Sequence, residues 1–493
     1  MQLSRLNLPS NSLSTLTLPE KVLQFGTGVL LRALPDYFIH KANAAGIFGG
    51  RVIVVKSTTE GDHSVYEQQD NLYTICARGI ENGQEQEETV ISTAISRVLS
   101  ASTQWPIVLE SAHQLQVSII ISNTTEVGIS YVEEEIHQRV PDSYPGKLLA
   151  WLVERWRFFK GDPAAGCVII PTELITGNAD QLKSIVLQLA QYNQVPQDAI
   201  TWIVQHNQFC NSLVDRIVPG RPKPDVQKKI EEGLGYHDDL LTMCEVFRLW
   251  AIQGDETIRE KIGFHSADEG LVIVPDIDQY KELKLRLLNG THSFCCGPAF
   301  LSDFGITRDA VVDPQFSVFM HKLMDEEIGP SIPYTISAEN VKRYARQVRE
   351  RFANPYIDHP WINITLQYSS KMRMRNLPLL EKWYSVHDEV PMMMATSFAA
   401  YILFTKPVSV EAGVYYGVHR GEKYPIKDDQ AGLFMDCWAS TPTDMLVDKV
   451  LKSEVLWGKD LSQLPGFRDA VTQLLKGMLA QGVSKTIQHM ISR

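Results

Sequence analysis

An α/β protein is predicted, with an N-terminal Rossmann-like doubly wound sheet followed by a mainly α-helical C-terminal domain. Three observations carry this. Short apolar runs alternate with stretches of helical period through the first two hundred residues. A Gly-x-Gly turn directly follows the first run. From about residue 223 the pattern becomes predominantly helical.

The elements follow in order. "KVLQF" is a buried strand, and Gly26 and Gly28 then open a helical pattern carrying Leu30, Leu31, Tyr37 and Phe38. A second strand, "RVIVVKST", begins at Arg51. Strand, glycine turn, helix and strand form the unit that sets a pyrophosphate on a helix N-terminus. Gly26 permits the tight turn, and Gly28 lets a backbone approach phosphates. Leu31 fills the third position of the G-x-G-x-x-G fingerprint, so the fingerprint is incomplete. Lys56, Ser57 and Thr58 stand at the end of the second strand, with Glu60 beyond. No acid marks that strand end, so the choice between NAD and NADP stays open. "VSIIIS" is a further strand, ending at Ser122 before a polar turn. "YPGKLLAWLVERWRFF" has helical spacing, and "GCVIIPTELITGNADQLKSIVLQLA" reads as strand, loop and helix. Ligands of such sheets lie beyond the carboxyl ends of the strands, so loops 123–128 and 171–178 are candidate pocket walls.

Two glycine and proline signals cluster at 218–224. They set the expected division into a Rossmann-like dinucleotide-binding domain, 1–222, and a mostly helical substrate domain, 223–493. "KPDVQKKIEEGLGYHDDLLTMCEVFRLWAIQG" reads as helical, with "LVIVP" at 271–275 a lone strand.

Composition narrows the function. A formal net charge of -11 gives no field that would gather nucleic acid. The longest apolar run is far too short to span a bilayer. Seven cysteines are scattered without a CxxC, and the N-terminus lacks the apolar core of a signal peptide. The expectation is a cytoplasmic protein with no metal, no membrane partner and no nucleic-acid partner, acting on a small molecule. Its oligomeric state stays open, a monomer being plausible.

The chemistry concentrates in "LKLRLLNGTHSF", residues 283–294. On an α-helix, Leu288, His292 and Asn289 lie at about 40°, 80° and 140° from Lys284. The three polar groups then share one arc that could line a cleft. Hydride reduction of a ketone creates an alkoxide, which needs a proton donor and hydrogen-bond donors aimed at the oxygen. Lysine can donate that proton, asparagine can offer its amide N–H, and histidine can orient either the lysine or a substrate hydroxyl.

"KLRLLNGTHS" resembles the K-x4-N-x2-H signature of the mannitol dehydrogenase family, the polyol-specific long-chain dehydrogenases/reductases. "LQFGTGVLLRA" resembles the family's nucleotide loop, "NTTEVG" its T-E turn, "FCNSLVDRIVPG" its S-x-V-D-R-I stretch and "RFANPYIDH" its R-F-x-N-P-x-I segment. The resemblance spans roughly residues 21–380. It implies Lys284 as general acid/base without a metal, Asn289 as oxyanion donor, His292 as a substrate anchor and Asp215 near both. It implies that Leu23, Gln24, Phe25, Gly26, Thr27, Gly28, Val29, Leu30, Leu31, Arg32, Ala33 and Leu34, together with Thr125 and Glu126, wrap NAD, with NADP not excluded.

Within the family, "SNTTEVGISY", "PTELI", "GYHDDLL" and "MRMRNLPLL" most resemble members that reduce a hexuronate ketose, D-tagaturonate first and its epimer D-fructuronate second. Departures agree with this. The second oxyanion asparagine of mannitol dehydrogenases falls on Leu174, leaving Asn178 as a possible replacement. Their substrate-binding arginine falls in "SFAAYILF", where Ala399 and Ala400 carry no charge. A uronate needs a cation for its carboxylate, and "SSKMRMRN" supplies Lys371, Arg373 and Arg375.

Overall fold

The computed structural model describes residues 1–57, 63–124, 128–439 and 442–492. Compactness divides the chain into one unit of residues 1–79 with 85–277 and another of 80–84 with 278–493.

The strands of the first unit are β1 (Glu20–Phe25), β2 (Arg51–Lys56), β3 (Tyr73–Glu81), β4 (Gln84–Ser92), β5 (Ile95–Ser100), β6 (Ile119–Ser122), β7 (Val168–Pro171), β8 (Gln208–Phe209), β9 (Ser212–Asp215), β10 (Thr242–Glu245), β11 (Leu249–Gln253) and β12 (Leu271–Val274), β3 and β4 meeting at a turn that clusters with the second unit. Six of them form a sheet in the order β5-β2-β1-β6-β7-β8, every neighbouring pair parallel. The order runs outward from β1 through β2 to β5, then restarts on the other side at β6. The crevice between the carboxyl ends of β1 and β6 is therefore the switch point where such sheets bind ligands. The alternation of side chains explains why these runs look apolar throughout. Val22, Val52, Val54, Ile119 and Ile121 enter a core on one face, and Leu23, Phe25, Ile53, Val55 and Ile120 enter a core on the other.

The helical pattern after the glycine turn is two helices, α1 (Val29–Ala33) and α2 (Pro35–Ala44). Leu34 between them has φ -132° and ψ -76°, outside the helical range. Pro35 explains the break, since proline excludes the residue before it from helical geometry.

Beyond residue 223 the structure departs from the expected helical run. Within 223–254 only Pro224–Leu234 is helical, and "TMCE" and "LWAIQ" are the strands β10 and β11. Strand β10 pairs with β3, while β11 pairs with β9 and β12, so the "lone" strand at 271–274 has a parallel partner. These pairings keep residues 223–277 with the first unit, and the change of architecture falls at Ile277 instead of residue 222.

The second unit is built around Met392–Phe404, a helix buried on nearly all sides, with Met394, Phe398, Ala399 and Ala400 fully enclosed. A helix apolar all round belongs at the centre of a bundle. Thr291–Phe300 and Phe467–Gln481 pack against it. A three-stranded antiparallel meander, β13 (Ser409–Glu411), β14 (Val414–His419) and β15 (Glu422–Ile426), completes the unit. Among its described residues three helical stretches carry π turns: Lys284–Gly290, Leu323–Ile328 and Met372–Asn376.

Candidate active site

In the first unit, the turn after β1 is closed by geometry that excludes any side chain at Gly26. Its φ is +123°, and a Cβ there would lie 2.9 Å from the Asn123 carbonyl oxygen and 2.9 Å from Leu31 Cδ1. Gly28 is the opposite case. It is exposed, and a Cβ there would meet nothing within 4 Å, so the backbone is open to a ligand. Gly26, Thr27, Ser57, Asn123, Thr124 and Tyr144 line a cleft of about 650 Å³. A glycine turn at the switch point of a parallel sheet, facing a cleft of that size, fits a dinucleotide.

The roles within this stretch separate by burial. Leu23, Gln24, Phe25, Leu31, Ala33 and Leu34 are fully enclosed and shape the turn from behind. Gly26 and Thr27 face the cleft. Arg32 is buried, its Nη1 donating to Tyr66 Oη at 3.1 Å. Thr125 and Glu126 lie outside the described residues, as do Thr58 and Glu60. Their neighbour Thr124 is fixed by Glu173, a buried carboxylate that accepts from the Thr124 N–H at 2.8 Å and from its Oγ1 at 3.0 Å. Asn123 donates to the Thr172 carbonyl and hydroxyl. Sequence reasoning passed over Tyr144, which lines the cleft, while Asn123 and Glu173 fall in the loops 123–128 and 171–178 expected as pocket walls. Glu173 stands in "PTELI" at a strand's carboxyl end, and that position was the available signal.

Asn178 has a different employment from the one expected. Its Nδ2 donates to the carbonyls of Pro171, Glu173 and Ser212, and its Oδ1 accepts from the N–H groups of Ala179 and Ser212. An amide so fully engaged has no N–H for an oxyanion. Leu174 is 60% exposed and offers none either. Asp215 ends β9 and is buried. Arg216 beside it turns to the carbonyls of Glu245 and Ala33 and lies over the Tyr37 ring.

In the second unit, Lys284, Asn289 and His292 do not lie on one continuous α-helix. Asp278–Leu283 is α, Lys284–Gly290 is π, and Thr291–Phe300 is α again. The correction tightens the arrangement. An i→i+5 turn holds more residues than an α-turn, so Asn289 comes back toward the face of Lys284 instead of standing about 140° from it. Lys284 and Asn289 are half-buried and His292 is buried.

The His292 ring is clamped. It stacks on Phe352 at 4.1 Å and meets His359 and Trp361 edge-on at 5.0 and 6.1 Å. Burial first, then the charges of His359, Arg375, Arg351 and Lys371, hold its pKa far below the ordinary imidazole value. The imidazole is thus neutral, and its Nε2 has no hydrogen-bond partner among the described residues.

Arg286 latches this π turn to the one at Met372–Asn376. Its Nη1 donates to the carbonyls of Met374 and Arg375 at 3.0 and 2.7 Å, while its Nε is held by Glu282 at 2.9 Å. The latch places the Arg375 guanidinium by the Lys284–Gly290 turn, 3.2 Å from Ser293 Oγ and 3.5 Å from the Asn289 carbonyl. Lys371 is half-buried, donates to the Ile364 carbonyl, and is held below the usual ammonium pKa by burial and then by Arg375. Arg373 is exposed and lies against Gly458.

Residues 20–264 match the mannitol dehydrogenase Rossmann domain and residues 276–479 the mannitol dehydrogenase C-terminal domain. The altronate oxidoreductase of Halalkalibacterium halodurans is 35% identical over 97% of this chain and 94% of its own. The chain belongs to the mannitol dehydrogenase family. It is an oxidoreductase acting on a CH–OH group. Other family members are equally close, the altronate oxidoreductases of Bacillus subtilis (36% identical, 96% of this chain and 95% of that one) and Shigella flexneri (34%, 95% and 96%). Among solved structures of the same fold, Pseudomonas fluorescens mannitol 2-dehydrogenase in ternary complex with NAD and D-mannitol superposes with a TM-score of 0.68 at 20% identity, each chain covered in full. A substrate-free D-sorbitol dehydrogenase gives 0.74 at 18% identity, covering 99% of this chain and all of its own.

Proposed function

We propose that this protein reduces D-tagaturonate to D-altronate, reversibly and with NAD(H), as a step of hexuronate breakdown. The observation that carries the reading is the latched pair of π turns, which gathers an ammonium, an amide, a neutral imidazole and a guanidinium. The altronate oxidoreductase relatives support the substrate class.

The dinucleotide supplies hydride when bound at the glycine turn. Lys284 gives its proton to the carbonyl oxygen as the alkoxide develops, and takes it back in the oxidation of altronate. Asn289 donates its amide N–H to the same oxygen, the geometry in which a preorganised donor is most useful. His292, held neutral, uses its unpartnered Nε2 to accept from a substrate hydroxyl. Arg375 holds the C1 carboxylate through a charge-assisted pair, with Lys371 adding positive potential. Arg373 has no part in this. Lys56 at the end of β2 is buried, which supports NAD(H) over NADP(H).

The test is NADH oxidation, followed optically, with tagaturonate, fructuronate, fructose and fructose phosphate in parallel. Tagaturonate should turn over fastest and the neutral ketose slowest. Equal activity with fructose would overturn the assignment of Arg375, and a preference for fructuronate would favour the epimeric reaction.

A further inference from the structure

Behind the glycine turn lies a polar cluster that no step of the reaction uses. Gln24 of β1 and Asp36 of α2 are both completely buried. Gln24 Nε2 donates to Asp36 Oδ2 at 3.3 Å and to the Gly26 carbonyl at 3.4 Å, so this amide touches the turn itself. Tyr73 Oη is 3.3 Å from the same Oδ2 and 3.4 Å from the Arg32 carbonyl. The other two oxygens of the pair, Gln24 Oε1 and Asp36 Oδ1, are buried and lack any partner among the described residues.

Two orphan acceptors on contacting side chains form a costly arrangement, because a buried unsatisfied polar group loses its full hydration. Both Gln24 hydrogens already have acceptors, so the missing component is one hydrogen. The charged groups around Asp36 do not supply it. Arg32 is the cation acting on the carboxyl, but its Nη1 goes to Tyr66 Oη and its guanidinium lies over the rings of Tyr66 and Tyr73. Tyr66 Oη in turn reaches the Thr27 carbonyl at 3.4 Å.

We propose that Asp36 is kept as a neutral carboxylic acid whose Oδ1 proton bonds Gln24 Oε1, and that this acid–amide pair positions the Gly26 turn for the dinucleotide. The inference rests on the dinucleotide reading of that turn. Burial agrees with it, raising the Asp36 carboxyl to about 7. Asp36 and Gln24 are positioning residues, since neither faces the cleft. Ionisation of Asp36 leaves its Oδ1 and Gln24 Oε1 without a hydrogen between them, and strains the amide that holds the Gly26 carbonyl.

The experiment measures NADH affinity by quenching of tryptophan fluorescence from pH 5.5 to 8.5, for the whole wild-type chain, Asp36→Asn and Asp36→Ala. Wild type should bind with constant affinity below about pH 7 and lose about tenfold by pH 8. Asp36→Asn keeps a donor for Gln24 Oε1 and cannot ionise, so its affinity should stay at the acid-limb value throughout. Asp36→Ala should bind weakly at every pH. A second measurement needs no cofactor. A carboxyl raised from 3.8 to about 7 contributes stability that is complete below 3.8 and lost as pH rises to about 7. The stability of wild type relative to Asp36→Asn should fall across that window and level off above it. A flat wild-type affinity profile, or an Asp36→Asn profile that follows wild type, overturns the proposal. So does relative stability that rises with pH, the mark of a carboxylate ionised against Arg32. Absence of NADH binding at pH 6 would instead overturn the dinucleotide reading of the turn.

Discussion

Inserting one alanine after Leu285 tests the catalytic reading at its structural root. Leu285 is half-buried and lies between Lys284 and the residues that the lysine must work with. The π turn Lys284–Gly290 already holds the one residue by which i→i+5 exceeds i→i+4, so a further residue cannot be absorbed without turning what precedes it. Lys284 then rotates by about 100° and shifts by about 1.5 Å relative to Asn289 and His292. A displacement of about 1 Å alone costs about 10²-fold in rate, and loss of general-acid help costs about 10²–10⁴-fold. Turnover with tagaturonate should therefore fall by at least about 10²-fold. NADH affinity should stay within a factor of about two, because the glycine turn lies in the other compact unit. Steady-state NADH oxidation reads the first quantity, fluorescence titration the second, and a cooperative thermal transition shows that the variant is folded. A folded insertion variant with near wild-type turnover would refute the idea that the π turn aligns the reacting groups.

Four further outcomes follow from the same geometry. Lys284→Ala should lose about 10²–10⁴-fold in turnover with NADH binding intact, and retained turnover would remove the lysine from the mechanism. Arg375→Leu removes a charge-assisted bond worth about 1.5–3 kcal/mol, so kcat/KM for tagaturonate should drop about tenfold to a hundredfold while that for fructose stays put; equal loss for both would argue against a carboxylate contact. Gly26→Ala puts a Cβ 2.9 Å from the Asn123 carbonyl in a backbone conformation strained by about 1–3 kcal/mol, and titration should find NADH binding severely weakened. Glu327 is buried, accepts from the N–H groups of Met393 and Met394, and is raised by burial to about 8. Its contribution is complete below 4.5 and lost as pH rises to about 8, so the melting temperature of Glu327→Gln should decline less than that of wild type across that interval.

The strand, glycine turn, helix and second strand were legible because each signal is local: an apolar run, two glycines at fixed spacing, a change of period. The dependence of Gly26 on glycine could be argued from the turn alone. Strands β10 and β11 were not legible. "TMCE" and "LWAIQ" are four and five residues long, and "LWAIQ" takes its partners from β9 and β12 on either side in the sequence. The identities Lys284, Asn289 and His292 stood out, but their geometry did not. Nothing in "KLRLLNG" separates i→i+4 from i→i+5 bonding, since the choice depends on neighbours such as the Arg286 latch. Asn178 and Arg373 show the complementary case. Residue type said what each could do, and only the surrounding contacts showed the Asn178 amide already engaged and the Arg373 guanidinium set against Gly458.

The Arg286 latch has a consequence for which sugars fit. By tying the turn that carries Lys284 to the turn that carries Arg375, it lets the protein, not the ligand, fix the span between the ammonium proposed to give the proton and the guanidinium proposed to hold the carboxylate. The two ends then act as the jaws of a caliper. A keto acid one carbon shorter or longer can seat its carboxylate or its carbonyl, but not both. Discrimination by length should consequently appear in turnover more than in affinity, because a ligand held at one jaw stays bound while its carbonyl misses the proton.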